Sequence, residues 1–324
     1  MKIAITGASG HVGSNLCRKL IEQNFEINVL YHNDDKAFRD LPLNIIKGEL
    51  RSIQTLDNLI QGVDIVIHTA AFIAVNQYDE QQVIDTNIQG TKNIIDKCRQ
   101  HNVKRLIHFS SIHAFNQFPL NQPLNENREL ISNSPYIYDK TKAQSETLVR
   151  QANGNGLQTI VLSPTSIIGP YDFKPSLVGR SLINIYKRNL PALISGGYDF
   201  VDVRDIVDAT INAITMAQPG EKYLLSGNWH SIKEFGDLIQ KVSGVKRPKF
   251  ICPLWLAKFG MPLMKYFVDK ENRLVFNKQT IEILESGHRN ISSAKAKKEL
   301  NFTCRPLEES IHDAFYWFRN NGYL

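Results

Sequence analysis

Two textures of apolar residue alternate along the first half of the chain. Short runs at 3–5, 26–31, 43–47, 64–68, 105–109 and 159–162 are rich in Ile, Val and Leu, as strands buried on both faces of a parallel sheet are. Between them apolar residues recur at helical spacing: Val12, Leu16, Leu20 and Ile21; the segment 53–60; and Val83, Ile84, Ile88, Ile94 and Ile95 in a long helix over 80–99. Another helix begins near Pro135, a residue favoured in a first helical turn. Strand and helix in strict alternation predict an α/β fold, a doubly wound parallel sheet with helices on both faces.

Beyond Pro164 the pattern breaks. Pro170, Pro175, Pro191 and Gly196-Gly197 divide the chain into short pieces, and a βα-like segment returns at 201–213. An amphipathic helix at 307–318 closes the sequence. The organisation expected is a dinucleotide-binding domain over 1–165, rejoined by 200–218, and a smaller substrate lobe made of 166–199 and 219–324. The most apolar patch, 253–267, carries Lys258, Lys265 and two prolines and is too short to span a bilayer. Lying on a membrane and lining a pocket are both open to it, and a plain helix of the smaller lobe is the simpler expectation.

Composition narrows the function little. Thirty-eight basic against 32 acidic residues give a net charge of +6. The basic residues are dispersed and not interleaved with aromatics, so neither nucleic-acid binding nor membrane association is expected. Four separated cysteines (Cys17, Cys98, Cys252, Cys304) make no C-x-x-C pair and no His stands at metal spacing, which points to a reducing, cytoplasmic setting without a zinc site. The first strand starts at once, leaving no room for a signal peptide.

The chemistry starts at Thr6-Gly7-Ala8-Ser9-Gly10-His11-Val12-Gly13, a glycine turn between the first strand and first helix. Glycines there allow positive φ, backbone approach to a pyrophosphate and close helix–strand packing, and the helix N-terminus attracts the phosphate charge. In open parallel sheets ligands bind beyond the carboxyl ends of the strands, which gives weight to His32, Glu49, Thr69-Ala70-Ala71, Ser110-Ser111 and Ser163-Pro164. The helix after Pro135 holds two overlapping Y-x-x-x-K pairs, Tyr136 with Lys140 and Tyr138 with Lys142. Each stacks a phenol and an ammonium on one helix face, roughly 6 Å apart along the axis. A neighbouring cation favours phenolate, so such a tyrosine can exchange a proton with a carbonyl oxygen during hydride transfer, with a serine hydroxyl steadying the developing charge.

Together these segments resemble the extended short-chain dehydrogenase/reductases over nearly the whole length. Residues 6–13 match T-G-x-x-G-x-x-G, Asp64-Ile-Val-Ile-His-Thr-Ala-Ala71 is similar to the fourth-strand motif, and Asn87-Ile-Gln-Gly-Thr91 to an N-x-x-G-T helix. Tyr138-Asp-Lys-Thr-Lys142 with Glu146 resembles Y-x-x-[ST]-K-x-x-x-E, which selects the second tyrosine–lysine pair. The resemblance implies Tyr138 as acid/base, Lys142 as the residue that lowers its pKa and holds the nicotinamide ribose, and Ser111 as the carbonyl-binding hydroxyl. It implies coenzyme contacts from Gly7, Ser9, Gly10, His11, Val12, His32, Glu49, Leu50, Thr69, Ala70, Ala71, Pro164 and Ile167. Substrate contacts are expected from Phe72, Ile73, His113 and Tyr171, with Phe115 and Phe173 as further apolar walls. His68, His101 and His108 are expected to be structural. Self-association through the helices at 80–99 and 135–150 is implied as well, although packing on the sheet explains their apolar faces.

Departures from the family's pattern refine this. The second strand ends Leu30-Tyr31-His32-Asn33, without the carboxylate that accepts from an NAD ribose, so NADP(H) is favoured over NAD(H). Tyr198 stands where nucleotide-sugar enzymes carry a phosphate-binding arginine. Residues 163–175 are similar to the dihydroflavonol-4-reductase-like branch. A ketone/aldehyde reductase or secondary-alcohol dehydrogenase is therefore expected, acting on a small carbonyl or alcohol molecule. An NAD-dependent nucleotide-sugar epimerase/dehydratase is the alternative, and a coenzyme-sensing regulator would have no need of serine, tyrosine and lysine together.

Overall fold

A computed structural model describes residues 1–73, 80–264 and 278–324, the side chains of 261–264 excepted. The first elements are β1 (Lys2–Thr6), α1 (His11–Glu22), β2 (Glu26–Tyr31), β3 (Asn44–Lys47), α2 (Ile53–Ile60) and β4 (Ile65–His68). Next come α3 (Glu80–Ile84), a π-helical turn (Asp85–Gln89), α4 (Gly90–Gln100), β5 (Arg105–Phe109), α5 (Ile137–Gln151) and β6 (Gln158–Pro164). The long helix expected over 80–99 is thus one continuous helical run with a wider turn in its middle.

Beyond β6 lie β7 (Ser166–Ile168), α6 (Leu177–Tyr186), β8 (Leu193–Ile194), β9 (Gly197–Asp202), α7 (Val203–Thr215), β10 (Lys222–Leu225) and β11 (Asn228–Ser231). The chain ends with α8 (Ile232–Ser243), β12 (Ile251–Cys252), α9 (Leu254–Met264), α10 (Lys278–Ser286), α11 (Ala294–Leu300) and α12 (Leu307–Asn320).

Seven parallel strands form the main sheet in the order β10-β6-β5-β4-β1-β2-β3, and the direction of winding reverses between β1 and β4. Alternation along each strand feeds two cores. Ile3 and Ile5 face the layer of α1 and α7, whereas Ala4 faces that of α2 and α4. The long helix is wedged by the N-x-x-G-T segment. Asn87 clamps both backbone groups of Phe72 and also donates to Thr141, and a Cβ on Gly90 would come within 2.9 Å of Leu50. Close approach at Gly90 seats the helix on Leu50 after β3, while Asn87 ties it to the segment after β4.

Two features differ from the expected domain division. Lys222–Leu225, assigned to the smaller lobe, form the outermost strand of the main sheet beside β6. In the returning βα segment, only α7 rejoins the main unit, against α1, while β9 pairs with β7 and β11 in a separate three-stranded sheet. The strand signal is local, but sheet membership depends on partners distant in sequence. Among the described residues no helix is long and apolar enough to cross a membrane, and all four cysteines are free thiols.

Candidate active site

The winding reversal opens a groove of about 460 Å³ above the ends of β1, β4, β5 and β6. At its floor the glycine turn is shaped by close contacts. Gly7 has φ +77°, and a Cβ there would lie 2.6 Å from the Ala70 amide nitrogen. At Gly13 it would lie 2.2 Å from the Gly7 carbonyl oxygen, so helix and turn pack as closely as they do only because both residues lack side chains. Gly10 caps α1 in an extended conformation with no side-chain cap. The first amides of the helix are therefore left for a ligand, where the helix dipole favours negative charge. Gly7, Gly10, His11, Val12, Thr69, Ala71, Ile73, Pro164 and Ile167 all line the groove. A dinucleotide pyrophosphate fits this cradle of bare backbone.

Other residues assigned to the coenzyme lie further back. Ser9 is half-buried in the turn outside the groove lining, and Ala70 packs under Gly7. The Leu50 side chain is in the core below α4, where its carbonyl accepts from Asn93. At the far end of the sheet His32 and Glu49 are both exposed and pair at 2.9 Å, with Arg51 3.6 Å from the same carboxylate. Sequence reading named His32 and Glu49 but missed Arg51, whose neighbourhood depends on the loop after β3.

At the opposite end Ser111, Tyr138 and Lys142 line the same groove. Ser111 follows β5, its hydroxyl accepts from the His113 amide, and it faces the groove together with Tyr138 from the first turn of α5. Burial pushes the phenol up to about 12, against the lowering effect of Ser111, and the nearby Asp139 carboxylate raises it further. Lys142 is buried and donates to the Phe109 carbonyl. Burial brings its ammonium down to about 8, with Glu146 opposing. The expected direct lowering of the Tyr138 pKa by Lys142 is absent from this geometry, because the ammonium faces the end of β5 and burial dominates at the phenol.

The overlapping tyrosine has a different surrounding. Tyr136 precedes α5, and its hydroxyl donates a hydrogen bond to the Glu282 carboxylate of α10 at 2.5 Å. Burial and that carboxylate push its pKa up. The helical phase of α5 thus puts Tyr138 and Lys142 on the sheet side and leaves Tyr136 to tether a lobe helix.

His113 stands at a junction. It lines the groove, an apolar cavity of about 170 Å³ and a more polar chamber of about 410 Å³. Its ring meets Tyr138 edge-on at 6.0 Å, and its Nδ1 is 3.5 Å from the buried Asp139 carboxylate. The apolar cavity is walled by side chains such as Leu182's neighbours Val178 and Ile185, with Leu193, Phe200, Phe235 and Leu284. Tyr198, Ser166 and Ile283 border both it and the polar chamber. Phe115 lines the polar chamber.

Three expected walls are placed elsewhere. Phe72 has its backbone fixed by Asn87 and does not line the groove. Tyr171 stacks under the Arg18 guanidinium, 4.4 Å from its ring centre, and Phe173 packs edge-on to Trp317. Both aromatics serve contacts between α1 and α12 and do not reach the cavities at His113. In the β7–α6 loop Tyr171, whose φ is +60°, stays off the groove, whereas Asp172, Lys174 and Ser176 of the same loop line it. Sequence reading also missed Asp139, Ser166, Thr280 and Ile283. Asp139 adjoins the tyrosine motif, whereas Thr280 and Ile283 arrive on α10 from the far end of the chain with no local signal.

The three histidines expected to be structural lie outside the groove lining. His68 is held between the hydroxyls of Thr6 and Thr91, at 2.6 and 3.1 Å, and burial depresses its pKa to about 3. His108 lies beside it on β5, and His101 meets Asp57 at 2.8 Å. Among the described residues no group of His, Cys, Asp and Glu is placed to hold a metal ion.

A doubly wound sheet, a bare glycine cradle at its winding reversal and a serine–tyrosine–lysine group facing the same groove define a Rossmann-fold enzyme of the extended short-chain dehydrogenase/reductase type. The chain belongs to the NAD dependent epimerase/dehydratase family, whose model matches residues 3–226. Sterol demethylase protein B of Methylococcus capsulatus is 31% identical, with all of both chains covered. A putative dihydroflavonol 4-reductase of Synechocystis sp. is 25% identical over 99% of this chain and 95% of that protein. The crystal structure of gox2253 superposes with a TM-score of 0.85 at 26% identity, covering 99% of each chain.

Proposed function

We propose that this protein is an NADP(H)-dependent oxidoreductase that interconverts a ketone or aldehyde and the corresponding alcohol, with Tyr138 as its acid/base. The observation that carries the reading is the convergence of Ser111, Tyr138 and Lys142 on the groove that also holds the glycine cradle. When bound, the nicotinamide supplies or accepts a hydride. Gly7, Gly10 and the first amides of α1 hold the pyrophosphate, Pro164 and Ile167 wall the nicotinamide end, and Lys142 is within the same groove to meet the ribose.

In the reducing direction Ser111 donates to the substrate carbonyl oxygen and fixes its direction. As the carbon gains a hydrogen with its electron pair, the C=O π pair moves onto oxygen, and Tyr138 delivers its proton there. Its phenol, held protonated to about 12, is in the form reduction requires. Oxidation needs the phenolate, which Ser111 favours against burial and which the positive charge of an oxidised nicotinamide would favour further.

Substrate-side features support carbonyl chemistry over the nucleotide-sugar alternative. Tyr198 offers a phenol where a phosphate would need a cation, and one of the two cavities it borders is apolar. The printed name of the Synechocystis relative, a putative reductase, agrees with that direction. At the far end, the lack of a carboxylate where β2 ends and the presence of His32 and Arg51, exposed although paired with Glu49 and Asp85, support NADP(H). A panel of ketones and aldehydes, followed by loss of reduced-nicotinamide absorbance, tests the proposal. Turnover of an apolar ketone supports it. Binding of UDP- or dTDP-sugars with no turnover of any carbonyl would replace it with the epimerase reading.

A further inference from the structure

We infer that the outer face of α9 docks the protein on an anionic lipid bilayer. Trp255 and Phe259 are one turn apart, so they project from one side of the helix, and they are 64% and 80% exposed. Leu256 flanks them and Phe250 precedes the helix, both exposed. Position 257 points the other way, where Ala257 is buried with Ile194, Ile281 and Leu284. A surface helix ordinarily turns its polar side to water. Here that side is aromatic.

Charge selects the occupant. Residues 246–260 contain Lys246, Arg247, Lys249 and Lys258 and no carboxylate. Lys246 and Lys249 are exposed, while Arg247 is held by Asp237 and Lys258 by Glu285. Aromatic residues among lysines suit the headgroup region of a bilayer, where rings enter the acyl boundary and ammonium groups meet anionic lipid. A second copy on this face would instead bring the same lysines against their own kind. Among the described residues no helix is long and apolar enough to cross a membrane, and the proposed docking lays α9 on the bilayer surface.

The position of the helix gives the docking a use. Ile194 and Leu284, which pack on its inner side through Ala257, also line the apolar cavity that reaches His113. The bilayer would be one helix away from a chamber suited to an apolar substrate, which is itself concentrated in lipid. Docking stands on exposure and charge; only the delivery of substrate rests on the oxidoreductase reading.

The test is co-sedimentation of the full chain with phosphatidylcholine vesicles, with and without about 30 mol% phosphatidylglycerol. Wild type is expected to sediment with the anionic vesicles, less so at high salt, with a blue shift in Trp255 emission. Trp255→Ser/Phe259→Ser is expected to bind at least about tenfold more weakly at an unchanged melting temperature, and Lys246→Glu/Lys249→Glu to lose the preference for anionic lipid. Wild type left in the supernatant, or equal binding by the aromatic double variant, overturns the inference. So does a vesicle-free dimer that the aromatic variant abolishes, which would give the face to a second copy. The readout involves no turnover, so failure of the redox reading leaves it unaffected.

Discussion

The two ends of the groove around Tyr138 are built differently. The coenzyme end is made of backbone: bare glycines, open helix amides and strand ends whose positions follow from a few adjacent residues. The substrate end is made of side chains from β5, α5, β7, α6, β8 and α10, which meet only after the whole chain has folded. One end binds a fixed group through geometry that tolerates no Cβ. The other defines a cavity whose shape and polarity can change by substitution without disturbing the cradle. The two join at Ser111, Tyr138 and Lys142, the residues proposed to carry the chemistry.

Removing the buried cation should have the largest effect. Lys142→Met is expected to lower turnover by at least about 10²-fold, and coenzyme affinity with it. It should not lower the stability of the coenzyme-free protein, because Met removes an ion from an apolar surrounding. Burial depresses the lysine pKa from 10.5 to about 8, so folding favours its neutral form. Below pH 8 both states carry the proton and wild type bears the full penalty, on the order of 3 kcal/mol. The stability advantage of Lys142→Met should therefore shrink as pH rises from about 8 to 10.5, as denaturation at a series of pH values would show.

The direction of reaction separates the ends by pH. Reduction should be nearly flat through neutrality because the Tyr138 phenol is already protonated, whereas alcohol oxidation should rise with pH, measured as kcat at saturating coenzyme. A smaller effect belongs to the substrate side. His113→Gln should raise KM for the carbonyl substrate several-fold and leave the coenzyme KM unmoved, because the ring stands where the groove meets both substrate-side cavities. Smallest, at the far coenzyme end, His32→Asp should shift the kcat/KM ratio of NADPH to NADH several-fold toward NADH, since a carboxylate repels a 2′-phosphate across a solvent-exposed gap.

What was legible in the sequence follows the same division. The glycine turn, the Asn87 clamp and the Tyr138–Lys142 pair are local patterns whose partners lie within a strand and a helix, and their alternation reveals the parallel sheet. Strand membership was less legible. Lys222–Leu225 reads as a short apolar run, and only its pairing with β6 makes it part of the main sheet. Tyr171 and Phe173 have the composition of a substrate wall, yet both rings pack between Arg18 of α1 and Trp317 of α12. The inward side of α10 had no local signature, because its function as a cover depends on Tyr136 and on cavity walls far away in sequence.

Tyr136 and Tyr138 offer the most direct test, being chemically alike and two residues apart. On one ketone substrate, with coenzyme binding measured in parallel, Tyr138→Phe should lower turnover at least about 10²-fold and leave the coenzyme Kd nearly unchanged, whereas Tyr136→Phe should change turnover less than about threefold. Wild-type turnover by Tyr138→Phe, or a larger loss from Tyr136→Phe, would contradict the account.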